Sequence, residues 1–122
     1  MTTTTRPNSG LKRGDVVLVL FPHTDLRSAK LRPAVVVQAD NLGTGLPQII
    51  LAMITSRLSR ANHPSRVTIR VGSSEGRRSG LLTDSVVVTD NLATVRESEV
   101  NRVVGSLPME EVNVALKHTL GL

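Results

Sequence analysis

The apolar residues of this chain lie in short valine-rich runs, each about as long as a β-strand. Six such segments are separated by turn-forming residues, at 15–21, 34–39, 48–55, 65–71, 85–89 and 102–107. β-branched side chains favour extended backbone over helix, and no run approaches the length of a membrane-spanning helix. The pattern predicts a mainly β protein without a membrane segment.

Most of these runs are continuously apolar, which indicates strands that are covered on both faces. Residues 65–71 instead alternate between apolar and polar side chains. Val67, Ile69 and Val71 are therefore expected to face the core. Arg66 and Arg70 are expected to face outward.

One segment, residues 108–120, has the pattern of a helix. Pro108 suits a first helical turn, Glu110 and Glu111 complement the helix dipole there, and Gly121 ends the pattern. The apolar stripe of this helix is expected to consist of Met109, Val112, Ala115, Leu116 and Leu120.

The other segments are expected to be loops or short turns. Residues 72–80 combine three glycines with two arginines and are predicted to form a flexible basic hairpin tip, and residues 97–100 a short helical turn. Together the elements predict a small, strongly bent sheet or SH3-like β-barrel closed by a C-terminal helix. A single domain is expected over residues 11–122, preceded by a disordered tail at residues 1–10.

The charge of the chain is unevenly distributed. It carries 15 basic and 10 acidic residues, a formal net charge of +5. Basic residues dominate residues 12–32 and 57–78, whereas acidic residues dominate residues 84–111. Two basic stretches suit a polyanion such as nucleic acid, and twelve arginines favour bidentate phosphate contacts. An arginine-rich surface that serves only solubility is the alternative reading of charge alone.

Composition disfavours several kinds of site. Without cysteine the chain has no disulfide, thiolate metal site or cysteine nucleophile, and residues 1–10 lack the apolar segment of a signal peptide, so we expect a cytoplasmic protein. His23, His63 and His118 are dispersed, so no metal or other cofactor is expected. His23 and His63 fall in predicted loops, where they could act as a general acid and base or remain solvated.

A stronger candidate site joins Arg32, at the mouth of the second strand, to Thr55, at the end of the third. If these strands are antiparallel neighbours, the start of one lies beside the end of the other. A guanidinium fork and a hydroxyl would then converge, which suits a phosphate whose charge grows during in-line attack. On spacing alone, the simpler interpretation is that Arg32 is a cation at the rim and that Thr55 only ends its strand.

Several short motifs, taken together, resemble one known family. They are Gly14-Asp15-Val16-Val17, Phe21-Pro22, RPAVVV at 32–37, Ile54-Thr55-Ser56 and GLLTDS at 80–85. In this order they resemble the MazF/PemK family of toxin–antitoxin endoribonucleases, from about Lys12 to Leu122. The resemblance implies an SH3-like β-barrel, a homodimer and an antitoxin that blocks the groove. It also implies metal-independent cleavage of single-stranded RNA at short sequences, leaving a 2′,3′-cyclic phosphate and a 5′-hydroxyl.

The family's catalytic residues fall on identifiable positions. The resemblance assigns the catalytic arginine to Arg32 and the catalytic hydroxyl to Thr55, and it suggests a structural role for Asp84 and Ser85. Many relatives carry Gly-Ser-Glu in the loop before the arginine, whereas residues 25–30 here read DLRSAK, which makes the loop basic. Substrate contacts are expected from Ser56, Arg57, Arg60, Arg77, Arg78, His23 and Lys30.

The expected chemistry leaves the general base and the base-reading groups unassigned. Arginine keeps its proton and is a poor base, so Arg32 is expected to stabilise charge, and His23 is a weak candidate for the base. Phe21 is the single aromatic residue, so RNA bases cannot be held by a platform of stacked rings. The amide side chains considered instead are Asn41, Gln48 and Asn62.

Two other functions fit the same fold. CcdB-type toxins are related barrels that bind DNA gyrase without cutting RNA. A barrel that binds RNA or a protein partner without catalysis is the other alternative. The pairing of Arg32 with Thr55 favours the ribonuclease.

Overall fold

The computed structural model describes residues 10–22 and 29–122. Within them the chain forms an antiparallel sheet of six strands and two α-helices. The strands are β1 (Asp15–Pro22), β2 (Ala29–Val36), β3 (Gln48–Thr55), β4 (Arg66–Ile69), β5 (Ser85–Arg96) and β6 (Val100–Ser106). The helices are α1 (Ser74–Ser79) and α2 (Glu110–Leu120), with 3-10 turns at Leu58–Arg60 and Glu97–Glu99. The mainly β fold with a C-terminal helix is thus confirmed.

The strands pair in the order β4-β5-β3-β2-β1-β6. Every pair in this order is antiparallel. Within the described residues no ladder joins β4 to β6, so closure into an SH3-like barrel stays a prediction. No helix in this part of the chain is long and apolar enough to cross a membrane.

Both faces of the sheet are buried, as the continuous apolar runs predicted. The neighbouring residues Val16 and Val17 point to opposite faces, yet both are fully buried. Val16 belongs to a cluster that includes Val112 and Ala115 of α2, so the helix covers that face. The cluster containing Val17 is built from strand residues of β1, β2, β3 and β6. The sheet therefore curls around its own side chains on the second face.

Helix α2 packs on β4 and β5 through a narrower stripe than the sequence predicted. Val112 and Ala115 are buried, and Met109 and Leu116 pack at the edge of the same cluster. Leu120 is 53% exposed, so its assignment to the stripe was wrong. It lies in the last turn of the helix, where the sheet no longer covers it.

Strand β5 bends at an irregularity in its pairing with β3. Ala52 pairs with Leu92, but the next residue, Met53, pairs with Val88. Residues 89–91 have no partner in this ladder and form a bulge in the strand. Bulges re-aim side chains and are common beside active sites. The bulge allows β5 to continue to Arg96, seven residues beyond the predicted strand.

The hairpin tip predicted at residues 72–80 is wrong, because residues 74–79 form α1. The Ser73 hydroxyl accepts the Gly76 N–H at 3.0 Å and so caps the helix, and Gly80 ends it in the left-handed conformation with φ of 75°. The helix lies against β6 where Gly105 leaves room. A Cβ at Gly105 would lie 2.3 Å from the carbonyl oxygen of Arg78.

Some strands begin or end at other residues than the sequence predicted. Strand β3 has the predicted bounds, whereas β2 begins at Ala29, five residues before the prediction. The extra residues continue the β1 hairpin, and Pro33 is accommodated opposite Leu18. Pro33 at the start of an apolar run predicted the beginning of a strand. Pairing with β1 nevertheless continues on the N-terminal side of Pro33, as far as Ala29.

Candidate active-site groove

An open groove of about 870 Å³ crosses one end of the sheet. It is bounded by the start of β2, the end of β3, the 3-10 turn Leu58–Arg60, the β5 bulge and residues 80–83. We call this depression the groove. Its lining includes both candidate catalytic residues, Arg32 and Thr55.

The strand register explains why these two residues meet. Strands β2 and β3 are antiparallel neighbours, and Ala34 pairs with Met53. Continuing this register by two residues places Arg32 opposite Thr55. Both side chains are half-buried, so they are held by the fold while still facing the groove. Arg32 and Thr55 therefore lie close together, as was expected if the second and third strands were antiparallel neighbours.

The hydroxyl of Thr55 has a defined hydrogen-bond role. Its oxygen accepts the backbone N–H of Arg57 at 3.2 Å. A hydroxyl has one hydrogen to donate and two lone pairs, so accepting from the backbone leaves its O–H for a group in the groove. The Thr55 O–H can thus donate to an acceptor in the groove.

A basic rim follows Thr55 along the groove. Lys30, Ser56, Arg57 and Arg60 were predicted to contact substrate, and all four are exposed and line the groove. Arg102 of β6 lines it too, and no local pattern in the sequence marks it. Because β6 pairs with β1, a residue distant in sequence completes the rim.

Arg66 connects two segments of the groove wall. Its Nε and Nη2 donate to the two carboxylate oxygens of Asp90 at 2.8 and 2.7 Å, and its Nη1 donates to the carbonyl oxygen of Arg60 at 2.9 Å. The hydrogen bonds and positive charge from Arg66 lower the pKa of Asp90 to about 2. Alternation alone predicted an outward Arg66; its side chain is in fact only 19% exposed and lies across the sheet edge.

Arg77, Arg78 and His63 were predicted to take part in the site but do not line the groove. Arg77 and Arg78 lie on α1 and do not line the groove, and Nη1 of Arg77 donates to the Gly72 carbonyl at 2.8 Å. His23 lies outside the described residues. His63 does not line the groove; its Nδ1 accepts the Ser65 N–H at 3.0 Å, and its ring packs edge-on against His118 at 6.0 Å between centroids.

Asp84 and Ser85 make contacts of a structural kind. Asp84 accepts the Val71 N–H at 2.9 Å and an Arg70 guanidinium N–H at 3.1 Å. These two bonds lower its pKa below the ordinary value. The Ser85 hydroxyl donates to the carbonyl of Thr83 at 2.9 Å, which shapes the loop at the groove rim. Outward-pointing Arg70 is thus paired with a carboxylate rather than with the groove.

The amide groups near the groove also differ from those considered in the sequence. Asn41, Gln48 and Asn62 are not among its lining residues, whereas Asn91 of the β5 bulge is. The side chain of Leu82, 94% exposed, forms part of the rim. Leu82 falls in the motif GLLTDS but was not expected to contact substrate, and Asn91 was not singled out because the bulge is a product of tertiary structure.

The groove contains no cluster of metal ligands. Within the described ranges 10–22 and 29–122, no group of three or more histidine, aspartate or glutamate side chains could hold an ion. The polar side chains that line the groove are mainly cations and hydroxyls, with Asp90 and Asn91 beside them.

Comparison with known proteins gives a consistent family. A family model described as "PemK-like, MazF-like toxin of type II toxin-antitoxin system" matches residues 12–120. Endoribonuclease MazF of Staphylococcus saprophyticus is 32% identical over 116 residues, 92% of this chain and 92% of that protein.

Solved structures share the fold. One is an endoribonuclease in complex with its cognate antitoxin from a mycobacterial species, with a TM-score of 0.69 and 24% identity over 91% of this chain and 95% of that chain. Another is a MazE–MazF structure from Deinococcus radiodurans, with a TM-score of 0.68 and 18% identity over 91% of this chain and 96% of that chain.

Proposed function

The chain belongs to the PemK-like, MazF-like family of toxins of type II toxin–antitoxin systems, and from this premise we propose that it is an endoribonuclease acting in the groove. Its substrate is single-stranded RNA, messenger RNA above all, cut at a short sequence. Cleavage of messengers stops translation and growth until the cognate antitoxin covers the groove. The name of the Staphylococcus saprophyticus relative, endoribonuclease MazF, supports the ribonuclease activity.

The observation that carries the proposal is the placement of Arg32 beside Thr55. Arg32 lies inside β2, two residues before Ala34 pairs with β3, and Thr55 ends β3; both line one groove next to exposed cations. Arginine offers a planar fork that matches two phosphate oxygens, and the Thr55 O–H is left as a donor. A catalytically inactive RNA-binding barrel would need the basic rim but not this pair.

The reaction follows from these groups. The ribose 2′-oxygen attacks the adjacent phosphorus and gives up its proton to a base, while the bond between phosphorus and the 5′-oxygen breaks. Arg32 stabilises the negative charge that accumulates on the phosphoryl oxygens, and Thr55 donates a hydrogen bond to one of them. The leaving 5′-oxygen takes up a proton, so the products are a 2′,3′-cyclic phosphate and a 5′-hydroxyl.

The base is not Asp90, although this carboxylate lines the groove. Both of its oxygens accept bonds from Arg66, and a pKa of about 2 makes it a poor acceptor of a ribose proton. His23 remains the proposed candidate, adjacent in sequence to the end of β1. The two-histidine mechanism with His63 is not retained, because His63 packs against α2 outside the groove.

Bases are held without aromatic stacking in this proposal. Asn91 presents an amide edge, Leu82 an apolar contact and Arg102 a guanidinium plane along the groove. These groups distinguish RNA bases by hydrogen bonds and by shape. Such recognition suits single-stranded RNA, whose bases are splayed apart.

The functional unit is proposed to be a symmetric homodimer. Leu20 and Leu31 face each other across β1 and β2, and they are 42% and 47% exposed. Val103, on the edge strand β6, is 47% exposed as well. Exposed apolar side chains on the surface of a sheet are typical of an interface. Light scattering should give about twice the chain mass of 13.1 kDa, and a monomeric, active protein at micromolar concentration would refute the dimer.

The proposed activity is tested with purified protein and a long single-stranded RNA of known sequence in EDTA. We expect discrete fragments whose 5′-ends are hydroxyls and whose 3′-ends are cyclic phosphates, all cut at one short word. The Arg32→Ala variant is the control for contaminating nuclease. Intact RNA with inhibition of gyrase on relaxed DNA would instead support a CcdB-like poison. RNA retention without fragments would support a binding-only barrel.

A further inference from the structure

We propose that Arg66 is a positioning residue for the substrate, which fixes the distance between two walls of the groove. One wall is the 3-10 turn Leu58–Arg60, and the other is the β5 bulge that carries Asp90. This inference rests on the proposed ribonuclease activity, because it concerns how RNA is held in the same groove.

The evidence is a three-donor contact that joins both walls through one side chain. Two guanidinium donors of Arg66 bind the carboxylate of Asp90, and the third binds the backbone carbonyl of Arg60. Arg66 itself is anchored in β4, opposite Val88 of β5. A rigid planar fork on a strand thus sets the position of a turn on one side and of a bulge on the other.

The turn contacts β5, and the bond from the Arg57 N–H to the Thr55 oxygen ties its first end to β3, whereas Arg66 anchors its other end at Arg60. None of the residues of Leu58–Arg60 is buried, and Arg57 at its N-cap makes no side-chain capping bond. Backbone hydrogen bonds within the turn define its shape, from Arg60 to Arg57 at 3.0 Å and from Ala61 to Leu58 at 3.0 Å. They do not define where the turn lies relative to the sheet.

The consequence concerns two cations that line the groove. Arg57 precedes the turn and Arg60 is its last residue, so the position of the turn decides where their guanidinium groups meet RNA phosphates. Lysine at position 66 would keep the positive charge and could pair with Asp90, but an ammonium cannot reach the carboxylate and the Arg60 carbonyl with the same planar geometry. Arg66→Lys therefore changes the position of the turn while keeping the positive charge at residue 66.

The experiment compares steady-state cleavage of a long single-stranded RNA by Arg66→Lys and by the unchanged protein. We expect KM to rise about tenfold, roughly the loss of one charge-assisted hydrogen bond, with kcat within about twofold. Arg13→Lys is the matched control. Arg13 also donates from its guanidinium to a backbone carbonyl, that of Val37 at 2.9 Å, but it does not line the groove.

A double-mutant comparison tests whether Arg66 acts through the turn. In a protein carrying Arg57→Ala and Arg60→Ala, adding Arg66→Lys should raise KM by less than about twofold, because the cations it positions are gone. An equal tenfold rise in that background would mean that Arg66 contacts RNA directly, and it would overturn the inference. Unchanged KM in Arg66→Lys alone would overturn it as well.

A measurement without RNA keeps the inference separate from the proposed activity. Backbone amide order parameters of residues 57–61 should fall from about 0.85 to below about 0.6 in Arg66→Lys, and not in Arg13→Lys. Unaltered order parameters would refute the positioning role even if the protein cuts RNA. Lowered ones would support it even if the unchanged protein leaves RNA intact, in which case the proposed ribonuclease activity alone would fail.

Discussion

The backbone N–H of Arg57 donates a hydrogen bond of 3.2 Å to the side-chain oxygen of Thr55. The candidate catalytic hydroxyl is therefore oriented by the first residue of the basic segment that follows it. Thr55 and Arg57, with Ser56 between them, line the same groove. The hydroxyl oxygen accepts from the backbone, so its own O–H can donate to a group in the groove, and this donor role is testable.

Replacing Thr55 by valine should lower the rate of RNA cleavage by roughly tenfold to a hundredfold, because the phosphoryl oxygens would have one hydrogen-bond donor fewer. Thr55→Ser keeps the hydroxyl and should retain most of the rate. Single-turnover cleavage of one RNA by the three proteins measures the difference. Equal rates for the valine and serine variants would exclude a hydrogen-bonding role for this side chain.

Replacing Arg32 by alanine should lower the cleavage rate by roughly a hundredfold or more, as for removal of a transition-state donor. Arg32→Lys should recover only part of it, because a point charge does not reproduce the planar fork. Circular dichroism should show that both variants keep the β-rich fold. Full activity in a folded Arg32→Ala protein would remove Arg32 from the mechanism.

Charge reversal should matter more in the groove than on α1. In a non-cleaving Arg32→Ala background, Arg57→Glu with Arg60→Glu should weaken RNA binding at least tenfold more than Arg77→Glu with Arg78→Glu. The slope of log affinity against log salt should become shallower by about 0.7 for each RNA phosphate that the variant no longer neutralises. Fluorescence anisotropy between about 50 and 200 mM salt gives both quantities. Equally weakened binding in the two double variants would place the RNA path over α1 as well.

Gly105→Ala should destabilise the protein by about 2–3 kcal/mol, a typical cost of overpacking. The new Cβ would meet the carbonyl oxygens of Arg78 and Ser79 at 2.3 and 2.4 Å, and backbone cannot move aside as a flexible side chain can. Gly72→Ala is the control, because a Cβ there has no atom within 4 Å. Urea unfolding should show a lower midpoint for Gly105→Ala only.

Acid should remove the stabilisation from the Arg66–Asp90 ion pair. The pKa of Asp90 is lowered from 3.8 to about 2 in the folded protein, so between these values the unfolded chain binds more protons. The contribution is present above about pH 4 and is lost as pH falls toward 2. The difference in urea midpoint between the unchanged protein and Asp90→Asn should therefore shrink between pH 5 and pH 2. A constant difference would show that the pair does not titrate in this window.

The meeting of Arg32 and Thr55 could be predicted because it needs only strand order and register. Once the apolar runs 34–39 and 48–55 are antiparallel neighbours, the residues just before the first run and at the end of the second lie close together, even though β2 itself begins earlier, at Ala29. The exposed cations after Thr55 follow from the same reasoning, since the chain has to leave the strand at that end. Arg32, Thr55 and the cations that follow Thr55 could thus be identified from the sequence as neighbours in one groove.

The wall that holds Asp90 and Asn91 could not be predicted in this way. Polar side chains after a valine run are typical of the end of a strand, whereas β5 continues through a bulge because β3 offers a partner on both sides of it. Helix α1 could not be predicted either, because its single glycine, Gly76, and its two serines have low intrinsic helix propensity. Its capping serine and terminal glycine are visible in the sequence, but the close contact with Gly105 that supports it is not.

The division into residues 1–10 and a domain at 11–122 stays a prediction, although the family model matches almost the same span, residues 12–120. The structure describes the chain from Gly10 onward, apart from residues 23–28. The loop that departs most from the family's pattern, at residues 25–30, falls largely within that gap. Its basic composition therefore remains a sequence-based reason to expect a distinct substrate preference.

The groove draws on β2, β3, β5 and β6, and the last of these strands follows all the others along the chain. Arg102 reaches the rim only after β6 has paired with β1, which is the first strand to be synthesised. A growing chain therefore carries Arg32 and Thr55 long before it has a complete site around them. We therefore expect the groove to become able to cut RNA only once its sheet is nearly whole, after most of its own chain has been synthesised.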